Sequence, residues 1–118
     1  MESVEMKEII CRELDDRKAY DITILDVEHL TVMADYFVIA TAKSNRQVKA
    51  LAEAVEDKMK EHGELALHTD GLTEGKWVVL DYGGVILHIF NDDTRMFYCL
   101  EKLWSDGGNM RRYTPDNQ

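Results

Sequence analysis

Tyr36-Phe37-Val38-Ile39-Ala40-Thr41-Ala42, followed almost at once by Ser44-Asn45-Arg46-Gln47, decides how this chain folds. The seven-residue run is apolar on both parities, which predicts a strand in the middle of a sheet with both faces covered. Ser44 is then placed to accept from the Gln47 backbone N–H, while the Gln47 side chain reaches back toward the cap. Val48, Leu51, Ala52, Val55 and Met59 continue as one apolar stripe at helical spacing. Gly63 follows His62, where a helix ends on a left-handed residue. A strand feeding a capped helix marks an α/β crossover.

Working outward, residues 3–18 read as a helix capped by Ser3, with Met6, Ile9, Ile10 and Leu14 on one side and Lys18 near its end. Residues 22–27 form a strand and 28–35 a turn or connection. On the other side, 65–69 suit an edge strand, with turns around Asp70-Gly71 and Glu74-Gly75. Trp77–Tyr82 and Val85–Phe90 are strands joined by Gly83-Gly84, a hairpin signal. Asn91-Asp92-Asp93 breaks the pattern, and Asp92 or Asp93 caps a last helix over 94–104. The expected fold class is therefore α/β (α+β), a mixed sheet of about five strands packed with three helices. A single domain spans 1–104, and a flexible tail spans 105–118.

The length of 118 residues allows one domain, and 45% hydrophobic residues supply its core. Cys11 and Cys99 lie in separate apolar helical patterns and read as reduced thiols of a cytoplasmic protein. No run of eighteen apolar residues offers a membrane span, and the acidic start Met1-Glu2-Ser3-Val4-Glu5 argues against a signal peptide. The 23 acidic and 14 basic residues give a formal charge of -9. That balance disfavours broad contact with nucleic-acid backbone and suits a basic protein partner.

Catalytic chemistry finds little purchase. His29, His62, His68 and His88 do not pair at metal-ligand spacing, and no cysteine lies near one. Gly71, Gly75, Gly83 and Gly84 make turns and do not form a phosphate-cradling loop. His88, between Leu87 and Ile89, reads as a structural histidine. Asp26, Asp81, Asp92 and Asp93 read as solvated strand ends. A transferase would need Asp26 and Asp81 to converge on a metal, with a phosphate grip that the chain lacks. No catalytic residue, cofactor or metal is expected.

Strand parity points to binding instead. Trp77, Val79 and Asp81 share one face, and Val78, Leu80 and Tyr82 the other. Three helices cannot fully cover both faces, so one is expected to stay partly open with Trp77 as an aromatic anchor. In the last helix, Phe97, Leu100 and Trp104 facing the core would put Tyr98 and Glu101 outside, beside Arg95.

Three motifs carry a family resemblance. Ala34–Thr41 with Ser44–Val48, Trp77–Gly83 with Val85–Phe90, and Arg95–Tyr98 with Leu100–Trp104 together resemble the ribosomal silencing factor, or Iojap, family over about residues 5–104. The resemblance implies a cytoplasmic repressor of translation with a reduced nucleotidyltransferase-like fold. Such a protein binds the large ribosomal subunit through its protein fourteen and blocks small-subunit joining when nutrients are short. It also implies a capacity to dimerise. The partner-binding residues it suggests are Asp70, Trp77, Asp81, Tyr82, Arg95, Tyr98 and Glu101, with Trp104 supporting from behind. Ser44, Asn45 and Arg46 lie in the family's strand-to-helix motif, where their plain role is capping. Gly84 stands where the family commonly has aspartate, Ala42 where it has glycine, and Asp70 where glutamate is usual. A residual nucleotidyl or phosphoryl transferase and a homodimeric scaffold are the alternatives.

Overall fold

The computed structural model describes residues 1–115, apart from the side chains of Phe97 and Tyr98. Its elements are α1 (Ser3–Asp16), β1 (Tyr20–Asp26), β2 (Tyr36–Ala42), α2 (Asn45–Glu61), β3 (His68–Asp70) and β4 (Trp77–Asp81). They continue with β5 (Val85–Asn91), α3 (Asp92–Tyr98), α4 (Leu100–Trp104) and β6 (Met110–Arg112). The strands make one mixed sheet in the order β3-β4-β5-β2-β1-β6.

The apolar run Tyr36–Ala42 lies near the sheet's centre. It pairs in parallel with β5, from Tyr36 opposite Val85 to Ala42 opposite Asn91, and antiparallel with β1. A parallel neighbour requires a crossover, and α2 provides it. Ser44 Oγ accepts from Gln47 N at 3.1 Å, as the sequence predicts. The Gln47 side chain reaches one residue further than expected, its Oε1 accepting from Lys43 N at 2.8 Å. At the far end Gly63, with φ +80°, turns the chain so that Gly63 N and Glu64 N bond to the carbonyls of Lys60 and Met59.

Other caps differ from the sequence reading. Ser3 does not cap α1; Glu2 holds the cap position, and Ser3 Oγ donates to Asp35 Oδ2 at 2.6 Å. Asn91, not Asp92 or Asp93, caps α3 by accepting from Thr94 N at 2.8 Å. Its Nδ2 also donates to Asn45 Oδ1 at 2.7 Å, which ties the starts of α2 and α3 together. The two helices begin at the same end of the sheet because β2 and β5 run parallel.

The expected last helix is two helices. Cys99 takes a left-handed conformation, φ +46°, and its N–H closes α3 on the Arg95 carbonyl before α4 restarts. The sheet also has six strands, since the segment expected to be a flexible tail contributes β6. Met110–Arg112 pair antiparallel with β1, from Leu25 opposite Met110 to Thr23 opposite Arg112. Tyr113 N extends the ladder to Ile22 O at 2.8 Å. The β1 edge would otherwise present unpaired backbone groups, and β6 satisfies them.

The core has two layers. α1 and α2 pack Met6, Ile10, Leu14, Val48, Leu51, Val55 and Met59 on Val38, Ala40, Val78, Leu80, Leu87 and Ile89. Burying each of the larger side chains is worth about 1.5–3 kcal/mol. The opposite face carries a smaller cluster, with Leu25, Phe37, Ile39, Ile86 and Phe90 beneath Leu100 and Trp104. Among the described side chains, those of the shorter helices α3 and α4 cover only part of that face.

Candidate partner-docking surface

The open part is the β3-β4 end of the sheet. β4 alternates half-buried and buried residues, with Trp77, Val79 and Asp81 turned outward while Val78 and Leu80 are fully enclosed. All three residues of β3 are exposed. Cross-strand register sets Trp77 opposite Phe90, Val79 opposite His88 and Asp81 opposite Ile86. On β3, Asp70 lies opposite Val79 and His68 opposite Asp81.

Two hollows meet on this face. One, of about 370 Å³, is lined by Phe37, Val79, Asp81, His88 and Trp104, with Met33 at its edge. The other, of about 720 Å³, lies between Trp77, Lys76, Glu74 and Asp93. Asp70 and Val79 line both, so the hollows form one groove. Its floor is aromatic and aliphatic, and its rim is mostly acidic.

Trp77 is held from below. Its Nε1 donates to His88 Nδ1 at 3.1 Å, and its ring leans on Phe90 with centroids 4.8 Å apart. Phe37 meets both His88 and Trp104 edge-on, at 5.4 and 5.0 Å. Burial pushes the His88 imidazole down to about 4, so it is neutral near pH 7. The sequence reading of His88 as structural thus acquires a partner. Trp104 packs edge-on against Phe37, which in turn meets the His88 ring beneath Trp77.

The suggested contact residues divide. Asp70, Trp77 and Asp81 share the groove. Asp81 also fixes the hairpin, its Oδ1 accepting from Gly83 N at 2.8 Å. Tyr82 does not join them: it is 6% exposed and packs in the α1–α2 layer, where burial raises its phenol to about 12. Strand parity alone puts it on that other face. Arg95, expected outside, is 8% exposed. Its guanidinium donates to Thr41 Oγ1, Thr23 Oγ1, the Asp21 carbonyl and Glu101 Oε2. Glu101 is thereby Arg95's counter-ion. The Tyr98 side chain lies outside the described residues.

Sequence reasoning missed Met33, His68, Glu74 and Lys76. Met33 is 67% exposed in a connection whose apolar residues follow no strand or helix period. His68 and Glu74 were visible only as strand and turn residues, because their places in the groove, His68 opposite Asp81 and Glu74 near Trp77, depend on β3 pairing with β4. Asp26 and Asp81 do not converge. Asp26 sits opposite Tyr36 and so on the other face from Asp81, three strand spacings or about 14 Å across the sheet. Among the described residues, no group of three or more His, Cys, Asp or Glu is placed to hold a metal. No helix there is long and apolar enough to cross a membrane. Cys11 and Cys99 are free thiols, and burial pushes Cys11 up to about 12.

The sequence matches a family model described as ribosomal silencing factor during starvation, over residues 1–118. It is 39% identical over 106 residues to the ribosomal silencing factor RsfS of Bacillus subtilis, covering 90% of each chain. It is 32% identical over 106 residues to the chloroplastic protein Iojap of Arabidopsis thaliana, covering 44% of that longer protein. A crystal structure of a protein from Chromobacterium violaceum superposes with a TM-score of 0.86 at 39% identity, over 88% of this chain and 87% of the other. A second, from Bacillus halodurans, gives 0.82 at 29% identity, over 93% and 99%. A match over the full sequence, joined by agreement of fold at this identity, means that the chain belongs to the ribosomal silencing factor (RsfS/Iojap) family.

Proposed function

We propose that this protein represses translation by docking its acidic groove on the large ribosomal subunit, at the basic protein fourteen, where its body blocks small-subunit joining. The observation that carries this reading is the Trp77 groove itself. An aromatic anchor held on a rigid sheet, with Val79 beside it and Asp70, Glu74, Asp81 and Asp93 around it, has the form of an interface centre with a charged rim. The formal charge of -9 favours encounter with a basic ribosomal protein. Family membership supports a silencing role on the ribosome. The mechanism is steric, and it needs no bond made or broken. The setting in which it acts is a cytoplasm short of nutrients.

The test uses purified subunits. The protein should pellet with isolated large subunits, and light scattering should show slower association when small subunits are added. Failure to pellet with large subunits at micromolar protein would sink the reading. Pelleting with unimpaired joining would leave binding and remove the steric mechanism.

A further inference from the structure

We infer that His88 is a positioning residue for partner docking, acting through Trp77 by fixing the tilt of its indole across the groove. The inference rests on the docking reading above. His88 is 8% exposed and sits one strand in from Trp77, on the floor of the groove, so it acts on a partner chiefly through the indole it holds. Its Nδ1 accepts the indole N–H at 3.1 Å, which assigns the ring proton to Nε2. The imidazole is itself fixed on two sides. Phe90 stacks near-parallel to it, 12° between planes at 6.4 Å, and Phe37 meets it edge-on.

This arrangement addresses a specific difficulty. The indole of a half-buried tryptophan must hold one orientation to serve as an anchor, and here its ring leans on Phe90 while its N–H is taken up by His88. A directional contact narrows its side-chain torsions, which lowers the free-energy cost of ordering it on binding. A neutral imidazole is suited to the task because it accepts a hydrogen bond at a fixed angle while filling an apolar site. A protonated one would donate from both nitrogens and repel the indole N–H. The burial that keeps the ring neutral therefore also keeps the acceptor available.

Three full-length variants test the assignment. His88→Phe keeps ring volume and removes the acceptor; His88→Asn returns an acceptor near the Nδ1 position; Trp77→Ala removes the anchor. Folding is checked by circular dichroism and melting. The indole N–H resonances are followed by ¹H–¹⁵N NMR, with Trp104→Phe to assign the Trp77 signal, and affinity is measured on purified large subunits. His88→Phe should move the Trp77 indole proton upfield and weaken binding about tenfold, the worth of one well-placed hydrogen bond. His88→Asn should recover most of both. A His88→Phe protein that binds like wild type while Trp77→Ala does not would overturn the positioning role and leave the docking reading standing. Wild-type binding by Trp77→Ala would overturn both. A failure of His88→Asn to recover either readout would also overturn the role, since the ring's packing and not its acceptor would then be at work.

Discussion

Arg95 Nε and Nη2 both donate to the same carboxylate oxygen of Glu101, at 3.1 and 3.0 Å, and so fasten α3 to α4 across the left-handed turn at Cys99. The other donors of the guanidinium reach Thr23 on β1, Thr41 on β2 and the Asp21 carbonyl. One side chain thus links the two short helices to the centre of the sheet. Arg95→Ala should leave the half-buried Glu101 carboxylate without its counter-ion and the buried Thr23 and Thr41 hydroxyls without their donor, and cost about 3–5 kcal/mol. A melting temperature lower by roughly 10 °C or more is expected. If Arg95 instead served the partner directly, the variant would melt like wild type and only ribosome affinity would fall.

The strap that follows α4 makes a second stability prediction. Asn109 Nδ2 donates to the carbonyls of both Asp26 and Trp104, at 2.8 and 2.9 Å, while its Oδ1 accepts from Asp106 N at 2.8 Å. One amide side chain therefore sets where β6 begins and where α4 ends. Asn109→Ala should cost about 1–3 kcal/mol by leaving those groups unpaired. Faster exchange of the Ile24 and Asp26 amides, which face β6, would accompany it. Unchanged exchange there would mean that β6 holds without the asparagine.

These two cases show why part of the molecule was legible in the sequence and part was not. The Tyr36–Ala42 strand, the Ser44 cap, the Gly63 stop and the Gly83-Gly84 hairpin are local, each specified by residues within a few positions of one another. The groove was half legible, because strand parity alone sets Trp77, Val79 and Asp81 on one face and Tyr82 on the other. Arg95 misled because its partners, Thr23, Thr41 and the Asp21 carbonyl, are more than fifty residues away. β6 misled for the same reason. Gly107-Gly108 and Pro115 punctuate it like a tail, and only the unpaired edge of β1 makes it a strand.

His88 gives the fold a pH dependence with a definite sign. Its imidazole is lowered from an ordinary 6.5 to about 4 in the folded protein. Between those values the unfolded chain takes up a proton that the folded chain refuses, so stability falls as pH drops from about 6.5 to 4. The contribution lost is on the order of 3 kcal/mol, and below the lower value it declines no further. Carboxylates titrate in the same range, so the informative quantity is the difference between wild type and His88→Asn in urea unfolding across pH 4–8. The variant's curve should be flatter by that amount. Parallel curves would mean that the folded protein takes up this proton as readily as the unfolded chain.

Gly71 connects backbone geometry to the docking face. It has φ +87°, and a Cβ there would fall 2.0 Å from the Trp77 carbonyl oxygen. Both facts demand glycine, and the contact is with backbone, which cannot swing aside. Gly71→Ala should therefore push the start of β4 outward and cost about 1–3 kcal/mol of stability. It should also weaken large-subunit binding beyond what its fraction unfolded explains, because Trp77 moves with its own backbone. Asp70→Asn, one residue earlier on an exposed strand, is the control. It removes a rim charge with no steric change, so it should slow association in a salt-dependent way and leave the melting temperature within about 1–2 °C of wild type. If Gly71→Ala and Asp70→Asn lose affinity equally and by the same rate constant, charge at the rim and not the seating of Trp77 governs docking.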